Sequence, residues 1–227
     1  VFHPGGTRVL FYEGSRGHHA DIGGLTPGSM PSESTLVEEE GVLIDNFLLV
    51  EAGRLREREA RALLGSGRYP ARNIEQNLAD LRAMIAANEK GVQELRRISA
   101  EYGLEVVHAY MRHVQDNAEE AVRRVIAGLA AKAPSGTWAG EFAYEMDHGA
   151  MIRVRITLEA ATRSGLIDFT GTSMQLANNF NAPSSVCYAA VLYVFRSLID
   201  EDIPLNAGCL KPLEIVIPAG SMLSPRY

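Results

Sequence analysis

The run Met151-Ile152-Arg153-Val154-Arg155-Ile156-Thr157-Leu158 alternates apolar and polar side chains. Because successive side chains of a β-strand point to opposite faces, the run predicts a strand with one apolar and one solvated face. Strand-like residues flank it at 141–144 and 166–169, and turn residues separate the three segments. The region from Gly140 onward therefore predicts an antiparallel meander.

Two long helices are predicted before the meander. The first follows Asn73, a suitable capping residue, and the second begins just past Gly103 and ends before Pro134. Apolar residues recur along both helices at a spacing that favours coiled-coil-like packing. We therefore expect the helices to fold back on each other about Tyr102-Gly103 as an antiparallel hairpin. Their apolar positions recur at intervals of three, four or seven: Ile74, Leu78, Leu81, Ile85, Val92 and Leu95, then Leu104, Val107, Met111, Val114, Ala118, Ala121, Val125 and Leu129.

Three further elements complete the prediction. Residues 7–12 are β-branched and aromatic and predict a strand, residues 184–200 predict a helix, and residues 213–217 predict a final strand. The fold class is therefore α+β, with antiparallel strand-rich parts and a long antiparallel helical hairpin inserted. The predicted divisions are a strand and glycine-rich His loop region at 1–70, the hairpin at 71–133, and a meander, helix and strand at 134–227.

Composition excludes several classes of partner. The chain of 227 residues carries 22 Lys and Arg against 28 Asp and Glu, a net charge of −6, and its basic residues are spread along the sequence. A nucleic-acid or membrane partner is therefore disfavoured. Cys187 and Cys209 lack metal or redox spacing, and no leader pattern opens the chain, which predicts a cytoplasmic protein with free thiols. The start at Val1 suggests a part of a longer polypeptide.

The densest group of chemically active side chains is Arg16, His18, His19 and Asp21, on a glycine-rich stretch. Imidazole and carboxylate are ligands for zinc, manganese or iron, so a metal or acid/base role is plausible. The same residues also fit a polar surface loop in which Asp21 caps a turn. Adjacent side chains of an extended chain point to opposite faces, so the two histidines cannot both face one ion.

A second polar group follows the predicted strand end at Asp168 and continues to Asn181. A carboxylate, small hydroxyl residues and amides offer hydrogen bonds to a planar polar ligand. Turns and helix caps use the same residue types, so a purely structural role is an equal alternative.

The sequence closely resembles the hydantoinase B family, which includes the C-terminal half of ATP-dependent 5-oxoprolinases. The resemblance extends over essentially the whole chain in order, so it is more specific than any single motif. It is carried by residues 15–24 (SRGHHADIGG), 27–31 (PGSMP), 38–41 (EEEG), 110–111 (YM), 114–119 (VQDNAE), 168–172 (DFTGT), 181–183 (NAP), 202–208 (DIPLNAG) and 218–221 (PAGS).

The resemblance implies an ATP-dependent hydrolase of cyclic amides, of the 5-oxoprolinase or N-methylhydantoinase type. In such systems a hydantoinase A-type ATPase subunit or domain uses ATP and Mg²⁺ to phosphorylate the amide carbonyl oxygen. The B-type part then completes ring opening, which needs water at the activated carbon and is metal or general-base work.

The resemblance also implies roles for individual residues. His18 and Asp21 are candidate ligands of a divalent metal, zinc, manganese or iron. His19 and Asp168 are candidate catalytic residues, and Arg16 and Asn181 are candidate substrate-binding residues. The family carries a His-x-x-Asp segment upstream that this sequence lacks, so we expect an incomplete metal site and a chain that is inactive alone.

Two alternative functions remain open. Acetone and acetophenone carboxylases are similar in this region, so the chain could belong to the large subunit of an ATP-dependent ketone carboxylase. A non-catalytic part that supplies a subunit interface through its long helices is the second alternative.

Overall fold

The computed structural model describes residues 1–3 and 5–226. The chain forms two compact units, Val1–Leu104 and Glu105–Tyr227, and contains both helices and sheets. The predicted α+β class is therefore confirmed. The three-part division at residues 70 and 133 groups the chain by element type and stays a prediction.

The first unit is built around two helices, α1 (Glu57–Leu64) and α2 (Ile74–Tyr102). The predicted cap of α2 is confirmed, because the Asn73 side chain accepts a hydrogen bond from the backbone N–H of Gln76 at 3.2 Å. Apolar side chains of both helices pack together with neighbouring residues. This core contains Ala60, Leu64, Ala71 and Leu78, with Phe47, Leu49, Ile74 and Leu81 at its edge.

A short hairpin precedes α1 and was not predicted. Its strands, β1 (Val50–Glu51) and β2 (Arg54–Leu55), are two residues each and pair antiparallel. Strands this short carry no readable alternation, and α1 is only eight residues long. The hairpin therefore has no pattern to read, whereas α1 buries Ala60 and Leu64, four residues apart on one face.

The predicted strand at residues 7–12 is wrong. The described residues form only an isolated antiparallel bridge there, between Phe2 and Val9, with Tyr12 left 91% exposed. Two backbone hydrogen bonds accompany the bridge, from His3 to Arg8 and from Leu10 to Val1, each 2.8 Å. A run of β-branched and aromatic residues becomes a strand only when a partner pairs along its length.

The second unit contains a four-stranded sheet in the order β3-β4-β5-β6. The three strands of the predicted meander pair antiparallel, and the fourth joins β5 in parallel. The meander is confirmed, while the parallel partner required a long connection that local patterns do not specify. The strands are β3 (Thr137–Glu145), β4 (Met151–Glu159), β5 (Ser164–Asp168) and β6 (Leu213–Val216).

One face of this sheet is covered by α3 (Leu104–Ala130) and α4 (Ser184–Ser197). The alternation in β4 decides which face is covered: Leu158 is buried in the core, whereas Arg153 and Arg155 are exposed. The buried core of the unit consists of Ala118, Ala121, Val122, Ile126, Ala130, Leu158, Ile167, Val191, Phe195, Ile199, Ile203 and Cys209.

Both long helices form where the stripes predict them, and the chain turns between them at Gly103, whose φ is +87°. Their antiparallel packing as a hairpin stays a prediction, since α2 and most of α3 belong to different units. Helix α4 ends three residues before the predicted end at Asp200. No helix of residues 1–3 and 5–226 has the length and apolar character needed to cross a bilayer.

Candidate functional site

Residues 11–21, here called the His segment, run along α2 in the direction opposite to the helix. Contacts alternate along it: the Ser15 hydroxyl donates to the backbone carbonyl of Met84, His19 bonds to Asp80, and the carbonyl of Asp21 accepts from Asn77. Every second residue therefore faces the helix, as expected for an extended chain. Of residues 12–21, His19 and Asp21 are partly buried against the helix and the others are exposed, including Arg16, His18 and Ala20.

A glycine allows the segment to approach α2 closely at its centre. A Cβ placed on Gly17 would lie 3.4 Å from the sulfur of Met84. An alanine at position 17 would meet the Met84 side chain in ordinary van der Waals contact, and a larger side chain would compete with it for space. The glycine-rich character of the stretch thus has a packing reason at this point.

His19 is the histidine that faces α2, and its side chain is only 15% exposed. Its Nδ1 lies 2.9 Å from Oδ2 of Asp80, whose Oδ1 accepts a hydrogen bond from Gln76 Nε2 at 2.8 Å. Two hydrogen bonds hold the pKa of Asp80 below its usual range, and the bond from His19 has a larger effect than the bond from Gln76. An ionised carboxylate only accepts, so His19 Nδ1 carries the proton of this bond.

Asp21 ends the His segment as the centre of a hydrogen-bond network. Its carboxylate accepts from the N–H groups of Gly23 (2.8 Å), Gly28 (3.0 Å) and Arg72 (3.2 Å), and from the Arg72 guanidinium at 2.7 Å. Burial would raise the pKa of Asp21, but these donors outweigh it and lower the pKa to about 2. The alternative that Asp21 organises a turn is thus what the contacts show.

The turn after Asp21 depends on two glycines with left-handed backbone. Gly23 and Gly24 have φ of +97° and +86°, and a Cβ on Gly23 would overlap the carbonyl oxygen of Tyr69. The Arg72 guanidinium also donates to the carbonyls of Gly23 (3.1 Å) and Gly24 (2.5 Å). These contacts fix the end of the His segment beside the start of α2.

The described residues do not by themselves fit a metal centre. Across residues 1–3 and 5–226, no three or more His, Cys, Asp or Glu side chains are grouped so that they could hold an ion. Both oxygens of Asp21 are already used, and a guanidinium beside them opposes a cation. His18 is exposed on the other face of the segment. The metal roles of His18 and Asp21 stay predictions, and no chemical step is derived through a metal here.

The second predicted group lies in the other unit. Asp168 ends β5, and Thr170, through its side chain and its backbone N–H, holds the pKa of Asp168 below its usual range. The backbone bond measures 2.8 Å. Asp168 also lines an open cleft of about 370 Å³ together with Glu141, Arg153, Arg155 and Thr170.

Asn181 organises its own loop. Its Oδ1 accepts from the N–H of Leu176 at 2.8 Å, and its Nδ2 donates to the carbonyls of Leu176 (2.9 Å) and Asn178 (2.6 Å). Through these bonds the side-chain amide of Asn181 stabilises the turn before α4. The catalytic role of Asp168 and the substrate-binding role of Asn181 stay predictions.

Three contributors to the His segment were not identified from the sequence: Arg72, Asn77 and Asp80. Arg72 lies just before α2 and the other two lie in its first turns, and each contacts a residue more than fifty positions earlier. The usable signal in the sequence was that the polar residues Asn77 and Asp80 stand three residues apart beside the apolar stripe of α2. Polar residues there need partners from elsewhere in the fold.

The comparisons with known proteins identify the family. The family model described as hydantoinase B/oxoprolinase matches residues 1–227, and the chain belongs to this family. It is 43% identical to 5-oxoprolinase 1 of Arabidopsis thaliana over 96% of its length, and 40% identical to 5-oxoprolinase of Dictyostelium discoideum over all of it. In each case the chain spans 18% of the relative's length.

A solved structure shares the fold. The ATP-dependent caprolactamase from Pseudomonas jessenii superposes with a TM-score of 0.73 and 21% identity, covering 92% of this chain and 35% of that one. The family resemblance predicted from the sequence is confirmed by the family model and by the 5-oxoprolinase relatives.

Proposed function

We propose that this chain is the B-type part of an ATP-dependent hydrolase of cyclic amides, with 5-oxoproline as its first candidate substrate. The relatives from Arabidopsis thaliana and Dictyostelium discoideum, at 43% and 40% identity, are named 5-oxoprolinases. The structural observation that carries the proposal is the exposed face of the His segment, on which Arg16 and His18 stand two residues apart. A cation and an imidazole on one face suit an anionic, activated substrate.

The reaction begins at the partner. A hydantoinase A-type ATPase, fused or separate, transfers the γ-phosphoryl group of ATP to the amide carbonyl oxygen, which gives an O-phosphorylated imidate and ADP. An unactivated amide is a poor electrophile, and the phosphoryl group makes its carbon susceptible to water.

The B-type part completes the reaction. A first water adds to the activated carbon and gives a tetrahedral adduct, whose C–N bond breaks as the hydroxyl proton is lost and the ring nitrogen takes up a proton. The acyl phosphate that remains is hydrolysed by a second water to the carboxylate and free phosphate. In this proposal His18 contacts the attacking water or the leaving groups, and Arg16 binds a negative charge, either the phosphoryl group or a substrate carboxylate. A divalent metal, if one completes the site from segments outside this chain, would supply Lewis-acid activation of water.

Location and assembly follow the same proposal. The enzyme acts in the cytoplasm, where ATP is available, and functions with its A-type partner, whether as one polypeptide or as a hetero-oligomer. Neither nucleic acid nor a membrane takes part.

The test uses the full-length protein together with its A-type part. ATP-dependent ring opening of 5-oxoproline is measured beside hydantoins, for wild type and for His18→Ala and Arg16→Ala. Loss of turnover in both variants supports the proposal, with Arg58→Ala as the control, since the Arg58 side chain is 92% exposed on α1. Bicarbonate-dependent consumption of a ketone, in place of ring opening, would assign the protein to the carboxylases.

A further inference from the structure

His18 and His19 are adjacent, yet they stand in opposite environments. His18 is exposed, whereas the His19 side chain is 15% exposed and bonded to α2. One imidazole is therefore available to a ligand in this chain, and the other is held by the protein itself. The question is what the held imidazole does.

The contact on α2 is built from three side chains. Asp80 accepts from His19 at 2.9 Å on one oxygen and from Gln76 at 2.8 Å on the other. Gln76 and Asp80 are one helical turn apart, so the amide fixes the carboxylate in the direction of the imidazole. A carboxylate fixed in this way defines both the position and the orientation of the ring.

We propose that His19 and Asp80 are positioning residues that set the register of the His segment on α2, so that Arg16 and His18 are presented together on its outer face. The proposal rests on the proposed function only in assigning chemistry to that outer face. The acid/base role predicted for His19 is the competing account.

The register of the His segment on α2 decides which of its residues face the helix and which face outward. A shift by one residue would exchange the two faces, because side chains alternate, and His19 would then leave Asp80 and face outward in place of His18. The neighbouring positions oppose such a shift: Arg16 would have to fit beside Met84, where Gly17 now lies. Ala20 would also replace Asp21, whose carboxylate holds the turn. The bond between His19 and Asp80 forms in the same register as the contacts of Asp21.

The decisive variants either keep or remove the hydrogen bond between the side chains at positions 19 and 80. In His19→Asn the side-chain Nδ2 stands near the position of the ring Nδ1 and can donate to Asp80, but it cannot transfer a proton at neutral pH. In Asp80→Asn the side-chain oxygen can still accept from His19. His19→Ala and Asp80→Ala remove the bond, and Glu89→Ala, on the exposed surface of α2, is the control.

The test measures kcat and KM for ring opening by the full-length protein with its A-type part. Positioning predicts that the two alanine variants lose up to ~100-fold in kcat, as misplaced reacting groups do, while His19→Asn and Asp80→Asn keep most of it. KM for ATP at the partner part stays the same in all of them. If His19→Asn loses as much activity as His19→Ala, or if no variant loses activity, the proposal is overturned; the first result would make His19 the proton carrier.

Amide hydrogen exchange of residues 11–21 in the same full-length variants separates this proposal from the proposed function. Faster exchange in the alanine variants than in wild type or the asparagine variants supports positioning, even if the wild type opens no cyclic amide. Equal exchange in all five proteins overturns positioning, whatever the activity is.

Discussion

The carboxylate of Asp21 and the guanidinium of Arg72 lie 2.7 Å apart and join the end of the His segment to the residue just before the Asn73 cap of α2. Arg72 also donates to the carbonyls of Gly23 and Gly24, so a single side chain holds both the turn and its carboxylate. The end of the His segment is thus anchored by contacts that do not use Arg16 or His18 on its exposed face.

The first prediction concerns this anchor. Asp21→Asn places an N–H₂ group against the donors of Gly28 or Arg72, so hydrogen bonds to a charged acceptor, worth about 1.5–3 kcal/mol, are lost. We expect the free energy of unfolding in urea at pH 7 to fall by that amount. Asp45→Asn, at an exposed position, is the control and should change it little.

The same pair predicts a pH dependence. The pKa of Asp21 is lowered from 3.8 to about 2 by folding, so its contribution to stability is complete above about pH 4 and is lost as the pH falls through 2. The difference in stability between wild type and Asp21→Asn should therefore shrink between pH 4 and pH 2. A difference that stays constant over this range would show that Asp21 does not interact through its charge.

A third prediction separates overlap from backbone strain. Gly23 and Gly28 both have positive φ, but a Cβ would overlap the Tyr69 carbonyl only at Gly23, and it would meet nothing within 4 Å at Gly28. We expect Gly23→Ala to cost about 2–4 kcal/mol and Gly28→Ala about 1 kcal/mol in urea unfolding. Equal costs would contradict the close approach at Gly23.

A fourth prediction tests the second unit. A Cβ on Gly208 would overlap the backbone carbonyl of Gln115 on α3, whereas Gly128 on the same helix has open space around it. Gly208→Ala should lower the melting temperature, and Gly128→Ala should raise it, because alanine favours the helix by about 0.5–1 kcal/mol. The opposite order would show that the 3-10 turn at Ala207–Leu210 does not lie against α3.

A large part of the fold could be predicted because its signals are local. The stripe after Asn73 and the alternation in β4 are repeated over several turns or pairs, and both elements form as expected. The run at residues 7–12 shows the limit of this approach. Its composition favours a strand, but a strand also needs a partner, and the sequence does not specify one.

The candidate site was predictable to a smaller degree. The opposite orientation of His18 and His19 follows from their adjacency alone, and the structure shows it. Asp80 stands 61 residues beyond His19, and Arg72 stands 51 beyond Asp21. Contacts over such separations depend on how the His segment lies along α2, which periodicity does not encode.

The central claim is that the outer face of the His segment contacts the substrate, while its inner face fixes the segment on α2. The most direct measurement is kcat for ATP-dependent ring opening of 5-oxoproline by the full-length protein, compared between His18→Ala and His19→Asn. The account predicts that His18→Ala loses nearly all turnover and His19→Asn keeps most of it. Turnover that survives in His18→Ala but disappears in His19→Asn would contradict it.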